Sequence, residues 1–145
     1  MNTNDRPSKS PTISLTASYD ICAAHQLNRT DWDAQKNRAA FGHCADLHGH
    51  QYKLEVTLEG EIPAETGMII NGYEVDRIVR EKIMSRIDHK FLNKDIPFFS
   101  EKLPTAEWIA VWAFGELKNA FPSACRLAKV RIYETPNLYA EYAGS

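Results

Sequence analysis

Apolar and polar residues alternate along residues 12–25, where the odd-numbered positions from Ile13 to Ala23 are apolar and most even-numbered positions are polar. A period of two is typical of a strand that buries one face. Residues 47–59 repeat the pattern, with apolar side chains at every second position from Tyr52 to Leu58. The sequence therefore predicts two long strands, each with one face on the core.

Two helices and two further strands are predicted after this pair. Residues 73–87 carry one apolar stripe at spacings of three and four, which indicates an amphipathic helix. Thr105 has the residue type of an N-cap for a second helix, which is apolar on most sides and ends near Phe121. Alternation returns in residues 126–134 and 138–142, so the predicted order is β-β-α-α-β-β.

Two details of this pattern carry further expectations. In the third strand, Ala128, Val130 and Ile132 are expected to face the core, and Glu134 has the same parity. Residues 27–42 have no sustained period and are interpreted as a long loop with room for one helical turn. Long loops in compact domains are often functional.

The composition indicates an ordinary globular chain of 145 residues with a formal net charge of -2. We expect a disordered tail at residues 1–10 and one domain at 11–145. The charge argues against nucleic-acid binding, and no apolar run approaches the roughly 20 residues of a membrane span. Three scattered cysteines predict no disulfide framework, and they suit the cytoplasm. Cys22 and Cys125 are expected to be small buried residues.

Three histidines share the buried parity of the two long strands. His48 and His50 flank Gly49 at the start of the second strand, and His25 ends the first. A single inward histidine is more often satisfied by hydrogen bonds, but three on one face favour a metal site. Three imidazoles with an open fourth position are the ligand set of a catalytic zinc ion.

Cys44 lies four residues before His48, and two roles fit that spacing equally well. As a fourth ligand it would close a structural zinc site. As a general base or nucleophile it would lie beside an open one, because a nearby cation favours the thiolate.

Two carboxylates complete the candidates. Asp88 precedes His89, and the pair fits either a helix end or a proton relay. Glu134 lies on the apolar face of the third strand, where a carboxylate is costly unless it is paired. It therefore either reaches solvent at the strand end or accepts hydrogen bonds from the amidine-like edge of a ligand.

The Cys44-x-x-x-His48-Gly49-His50 run, after Ala23-Ala24-His25, resembles the 6-pyruvoyltetrahydropterin synthase family. The resemblance extends from Ile13 to Tyr142 and includes Gly67-Met68-Ile69, Ile87 to Asn93, Pro104 to Glu107, and Glu134-Thr135. The spacing of three residues between cysteine and histidine is similar to the bacterial branch. Members of that branch are 6-carboxytetrahydropterin synthases of deazapurine (queuosine) biosynthesis.

The resemblance implies an α+β T-fold, in which two helices cover one face of a four-stranded antiparallel sheet. It also implies a homohexamer of two stacked trimeric rings, with active sites between subunits. Closing the sheets into a ring would remove their edges. The implied partner is a small pterin triphosphate, with no nucleic acid and no membrane.

The resemblance further implies a role for each candidate residue. His25, His48 and His50 would bind Zn²⁺, Cys44 would accept a proton, and Asp88 with His89 would relay it. Glu134 would anchor the pterin and belong to the relay, and Thr105, Ala106 and Glu107 would help to hold the ring.

The reaction that the resemblance implies converts 7,8-dihydroneopterin triphosphate to 6-carboxytetrahydropterin, acetaldehyde and triphosphate. Loss of triphosphate alone, giving the pyruvoyl product, is the close alternative, and a non-catalytic zinc-stabilised module is the alternative of another class.

Three features qualify the resemblance. Asn71-Gly72 replaces an Asp-Phe pair that members commonly carry, and Trp108 replaces an Asn after Glu107. The long loop is similar to that of the pyruvoyl-forming branch. Its basic residues are candidate phosphate contacts: Arg29, Lys36 and Arg38.

Overall fold

A four-stranded antiparallel sheet, with its strands side by side in chain order, forms the centre of the computed structural model, which describes residues 9–145. The strands are β1 (Thr12–His25), β2 (His48–Glu61), β3 (Arg126–Thr135) and β4 (Leu138–Tyr142). The long β1–β2 pair runs without a break from Thr12 opposite Glu61 to His25 opposite His48. The predicted strands are confirmed, whereas most of the predicted tail lies outside the described residues.

The helices are α1 (Ala34–Phe41), α2 (Gly72–Val79), α3 (Ser85–Ile87), α4 (Leu92–Asp95) and α5 (Ala106–Leu117). A π-helical turn, Arg80–Met84, joins α2 to α3, so the predicted helix at 73–87 is continuous. Thr105 caps α5 as predicted, since its hydroxyl accepts the Trp108 N–H at 3.3 Å. The predicted end near Phe121 is four residues too late, and the predicted loop contains the two-turn helix α1.

The core lies between one face of the sheet and the helices, as the T-fold implies. Helix α5 packs on β3 and β4, and α2 with its extension contributes a second apolar stripe. Fully buried members include Ile21, Leu54, Val56, Val79, Ile83, Leu117 and Ile132. In the described chain no helix has the length and apolar character needed to cross a membrane.

Two predictions about facing were wrong. A register shift at Thr57/Leu58 makes Ala128 the extra residue of a β-bulge, so Leu127 faces the core in its place. A bulge inverts the parity of residues on one side of it. Cys22 is exposed, because it has the even parity of the outer face of β1; Cys125 is buried as expected.

The segment after α3 covers only part of the outer edge of β1. The His89 N–H donates to the Cys22 carbonyl at 2.6 Å, and the Ala24 N–H donates to the Lys90 carbonyl at 2.9 Å. Within residues 9–145, β1 and β4 are the outer strands, and neither has a second partner strand. Unpaired edges of this kind are positions where another chain can add to a sheet.

Candidate metal centre and active site

The end of β1 and the start of β2 bring three imidazoles together. His25 lies directly opposite His48 in the register, and His50 is two residues further along β2 on the same face. One ring nitrogen from each lies within 4.8 Å of the other two. Tetrahedral zinc with bonds of about 2.0–2.1 Å needs its nitrogens little more than 3 Å apart, so a small adjustment suffices.

Backbone carbonyls orient two of the rings. His25 Nδ1 lies 2.7 Å from the Pro104 oxygen, just before α5, and His48 Nδ1 lies 2.7 Å from the Asp46 oxygen. A carbonyl only accepts hydrogen bonds, so each Nδ1 carries the proton and donates. Each Nε2 of a neutral ring therefore presents a lone pair, as in metal-binding histidines whose other nitrogen is held by a carbonyl.

These lone pairs face each other. The two Nε2 atoms, from His25 and His48, are 2.9 Å apart. Two neutral rings in this tautomer repel at that distance unless a cation or a shared proton lies between them. Burial lowers the pKa of His25, which disfavours the proton, and its side chain is fully buried. A metal ion satisfies both nitrogens.

His50 adds a third unsatisfied nitrogen beside a carboxylate. Its buried Nε2 has no hydrogen-bond partner within the described chain, although Glu134 Oε1 lies 3.2 Å away. Burial lowers the pKa of His50, and the neighbouring Glu134 charge only partly opposes this effect. Buried polar atoms normally have partners, so this nitrogen has the environment of a metal ligand.

Glu134 reaches this cluster from a second bulge. Tyr133 pairs with Tyr139 and Thr135 with Leu138, which leaves Glu134 as the extra residue of β3. Its side chain is 19% exposed. The inward parity predicted for Glu134 is therefore observed, and its carboxylate is available at the rim of the histidine cluster.

Tyr52 packs against two histidines of the cluster. Its hydroxyl lies 3.1 Å from His25 Nδ1, and its ring packs edge-on against His25 and His50. Burial raises the pKa of Tyr52, so the phenol stays neutral. It packs against the three-histidine cluster as an uncharged side chain.

Cys44 lies in a 3-10 turn, Gly42–Ala45, between α1 and β2. Among the described residues, its sulfur does not belong to the set of ligand atoms formed by the three histidines. This geometry favours an open fourth position over the closed site in which Cys44 is a ligand. The role of Cys44 as proton acceptor stays a prediction.

Asp88 and His89 lie at the outer edge of β1, not in the histidine cluster. Asp88 Oδ1 accepts the Cys22 N–H at 2.9 Å, and Oδ2 lies 3.0 Å from His89 Nδ1. The Cys22 N–H is the main cause that holds the pKa of Asp88 below its usual value, and His89 adds to it. His89 has a positive φ of 61° and a side chain that is 78% exposed, so its ring is largely accessible to solvent.

The residues at the start of α5 lie beside the site. Pro104 holds His25, Thr105 caps the helix, and Ala106 is buried. Glu107 and Trp108 line a cleft of about 470 Å³ whose other walls are Arg29, Glu101, Lys102, Leu103 and Thr105.

The two departures from the common family pattern have local structural roles. The ammonium of Lys102 lies 4.6 Å from the centre of the Trp108 ring, a cation–π contact at the cleft. Asn71 is the N-cap of α2, and its side chain accepts the Tyr73 N–H at 2.9 Å.

The candidate phosphate contacts already have partners. Arg29 pairs with Asp31 at 2.7 Å, and Arg38 pairs with Asp46 at 2.8 Å. Lys36 lies over the ring of Trp32, 4.3 Å from its centre. Their assignment to the triphosphate stays a prediction.

The sequence matches the family model described as 6-pyruvoyl tetrahydropterin synthase over residues 14–145. The chain belongs to this family. The human 6-pyruvoyl tetrahydrobiopterin synthase is 37% identical over 124 residues, which cover 84% of this chain and 85% of the human one. The Haemophilus influenzae 6-carboxy-5,6,7,8-tetrahydropterin synthase is 31% identical over 150 residues, covering 90% and 96%.

The fold agrees with a solved member of the family. The structure of Caenorhabditis elegans 6-pyruvoyl tetrahydropterin synthase superposes with a TM-score of 0.86 at 31% identity. The match covers 94% of this chain and 99% of that one. The resemblance seen in the sequence and the T-fold it implied are confirmed, and the chain is a member of an enzymatic family with a small-molecule substrate.

Sequence reasoning missed the groups that orient the histidines. The carbonyls of Pro104 and Asp46 fix the ring tautomers, but a backbone oxygen leaves no residue-type signal. Tyr52 had a signal, because it shares the parity of His48 and His50 and is two residues further along β2. The pattern alone predicts an ordinary core residue at this position.

Proposed function

We propose that this chain is a zinc-dependent lyase that releases triphosphate from 7,8-dihydroneopterin triphosphate. The observation that carries the proposal is the convergence of three imidazole nitrogens beside Glu134, one of which has no hydrogen-bond partner within residues 9–145. Family membership supports the pterin substrate. The cysteine pattern, three scattered residues, suits a reducing compartment such as the cytoplasm.

Zinc held by His25, His48 and His50 would supply Lewis-acid polarisation of the side-chain oxygens of the substrate. The protein supplies the rest. Cys44, as thiolate, takes a carbon-bound proton from the substrate side chain. The electron pair left on carbon then drives cleavage of the C–O bond to triphosphate, which leaves as the anion.

Recognition of the pterin is proposed for Glu134 and the start of α5. A carboxylate accepts two N–H bonds from an amidine-like edge, and charge-assisted bonds of this kind are strong. Glu134 is only 19% exposed, so water competes weakly for it. Thr105, Ala106 and Glu107 would hold the ring from the side.

Asp88 and His89 are proposed to serve the site of a neighbouring subunit. The pair lies at the edge of β1, and the His89 ring projects outward. The unpaired edges of β1 and β4 support ring closure with further copies of the chain. A homohexamer of two stacked rings would then complete each site between subunits.

Two products are compatible with this machinery. The higher identity to the human pyruvoyl-forming relative, 37% against 31% for the bacterial carboxy-forming one, supports loss of triphosphate alone. The three-residue spacing from Cys44 to His48 supports the carboxy product, in which the side chain is cleaved to release acetaldehyde.

Incubation with 7,8-dihydroneopterin triphosphate tests the proposal and separates the products. We expect zinc-dependent release of triphosphate. Acetaldehyde in equal amount would identify the carboxy product, and its absence would identify the pyruvoyl product. No triphosphate release by the zinc-loaded protein would overturn the proposal.

A further inference from the structure

Two amide side chains join the metal-binding end of β1 to the turn that carries Cys44. Gln26 directly follows His25, and its side-chain Nε2 donates to the Ala45 carbonyl at 2.8 Å. The peptide groups of Gln26 are held by Asn93. The Gln26 N–H donates to Asn93 Oδ1 at 2.9 Å, and Asn93 Nδ2 donates to the Gln26 carbonyl at 2.8 Å.

The next residue extends this connection. The Leu27 N–H donates to the Cys44 carbonyl at 2.8 Å, so Gln26 and Leu27 bind two successive carbonyls of the turn, those of Cys44 and Ala45. A single 3-10 turn is weak by itself. These bonds tie it to the strand end that carries a metal ligand.

Asn93 holds the backbone of Gln26 in place. It lies on α4. The residue before that helix, Phe91, pairs with Ala24, which is next to His25. The two bonds of the Asn93 amide match the donor and acceptor of Gln26, so the peptide groups of Gln26 are held on both sides. The side chain of Gln26 therefore reaches Ala45 from a rigid base.

We propose that Gln26 and Asn93 are positioning residues that set the distance from Cys44 to the histidine cluster. This inference rests on the proposed function, in which Cys44 accepts a proton from a metal-bound substrate. Catalytic groups lose much of their effect when displaced by about 1 Å. Gln26 and Asn93 act on the reaction only through Cys44, so they affect turnover more than metal or substrate binding.

Gln26→Met tests this directly, because methionine keeps the length of the side chain and removes the N–H donor. We expect kcat to fall about tenfold or more, with KM changed less than about twofold and zinc content unchanged. Asn93→Ala is expected to lower kcat in the same way. The double variant should lose less than the product of the two single effects, because both residues act through one connection.

Hydrogen exchange supplies a readout independent of activity. The Leu27 amide is bound to the Cys44 carbonyl, so its exchange rate should rise in Gln26→Met while amides in the centre of β1 and β2 keep their rates. Tyr19→Phe is the matched control. It also removes a side-chain hydrogen bond from β1, the one to Asp76 at 2.7 Å, but at a distance from the turn.

An unchanged kcat in Gln26→Met, a loss equal to that of Tyr19→Phe, or loss of zinc would each overturn the positioning role. Failure of the proposed function itself is seen separately: the zinc-loaded wild type would then release no triphosphate, or Cys44→Ala would retain full turnover, whatever the Gln26 result.

Discussion

His25 Nε2 lies 2.9 Å from His48 Nε2, although the Nδ1 of each ring already donates to a backbone carbonyl. With both protons on Nδ1, two lone pairs meet at the centre of the cluster. The buried Nε2 of His50 is a third nitrogen without a hydrogen-bond partner in the described part of the chain. The arrangement is therefore costly without a cation, and we expect metal binding and stability to be linked.

Replacing His48 with alanine should abolish stoichiometric zinc binding. A ligand at 1,000 times its Kd stabilises a fold by about 4 kcal/mol, so a chelator should lower the Tm of the wild type clearly and that of His48→Ala very little. His43→Ala is the control, since His43 is exposed and outside the cluster. Zinc bound by His48→Ala with wild-type affinity would contradict the three-histidine site.

Replacing Glu134 with glutamine should weaken substrate recognition while metal stays bound. Hydrogen bonds to a charged group contribute about 1.5–3 kcal/mol, so kcat/KM should fall roughly 10- to 100-fold, mainly through KM. Steady-state kinetics and zinc analysis measure both. Glu141→Gln is the control. It changes a carboxylate of β4 that is paired with Arg131, and it should leave kcat/KM and zinc content unchanged. An unaltered kcat/KM in Glu134→Gln would remove Glu134 from the site.

Asp88 should contribute stability that depends on pH. The Cys22 N–H holds the pKa of the folded Asp88 below its usual value of about 3.9. Between these two pKa values the unfolded chain binds more protons, so the contribution is complete above about pH 5 and is lost as the pH falls through the folded pKa.

Urea unfolding of the wild type and Asp88→Asn at pH 7, 5 and 3 measures this effect. Asparagine keeps the acceptor for the Cys22 N–H and removes the charge. The advantage of the wild type should shrink at pH 3. A difference that grows toward acid pH would show that Asp88 is not stabilised as the carboxylate.

Asn71 should matter for stability and not for chemistry. As the N-cap of α2 it satisfies the Tyr73 N–H, and loss of such a cap costs about 1 kcal/mol. Asn71→Ala should therefore lower the free energy of unfolding by about that amount with unchanged kcat, whereas Asn71→Asp keeps a capping oxygen and should retain stability. Loss of activity in Asn71→Ala at full stability would contradict this assignment.

Parity along the strands was enough to predict the face that carries the three histidines. The inward positions are odd-numbered on β1, which include His25, and even-numbered on β2, which include His48 and His50. The unbroken β1–β2 register preserves that parity. On β3 the same argument failed at Ala128, which is the extra residue of a bulge. The alternation of residue types does not show where such an extra residue lies. Glu134 was predicted correctly because it lies beyond that bulge, on the same side as Val130 and Ile132.

Other features required the three-dimensional structure. The carbonyls of Pro104 and Asp46 select the histidine tautomers from positions that no residue type marks. Spacing gave Cys44 two equal roles; among the described residues its sulfur lies outside the ligand set of the three histidines, which favours the role of base. Helix α1 is not predicted from the sequence, because its single buried side chain, Asn37, is polar and provides no apolar period.

The Cys44→Ala variant, assayed for bound zinc and for triphosphate release, tests the central claim most directly. We predict that zinc content and Tm stay close to those of the wild type while turnover falls about 100-fold or more, the usual contribution of a proton-transfer group. Cys22→Ala, which removes an exposed cysteine from the outer face of β1, should change neither. Loss of zinc, or turnover retained in Cys44→Ala, would contradict an open three-histidine site served by a cysteine base.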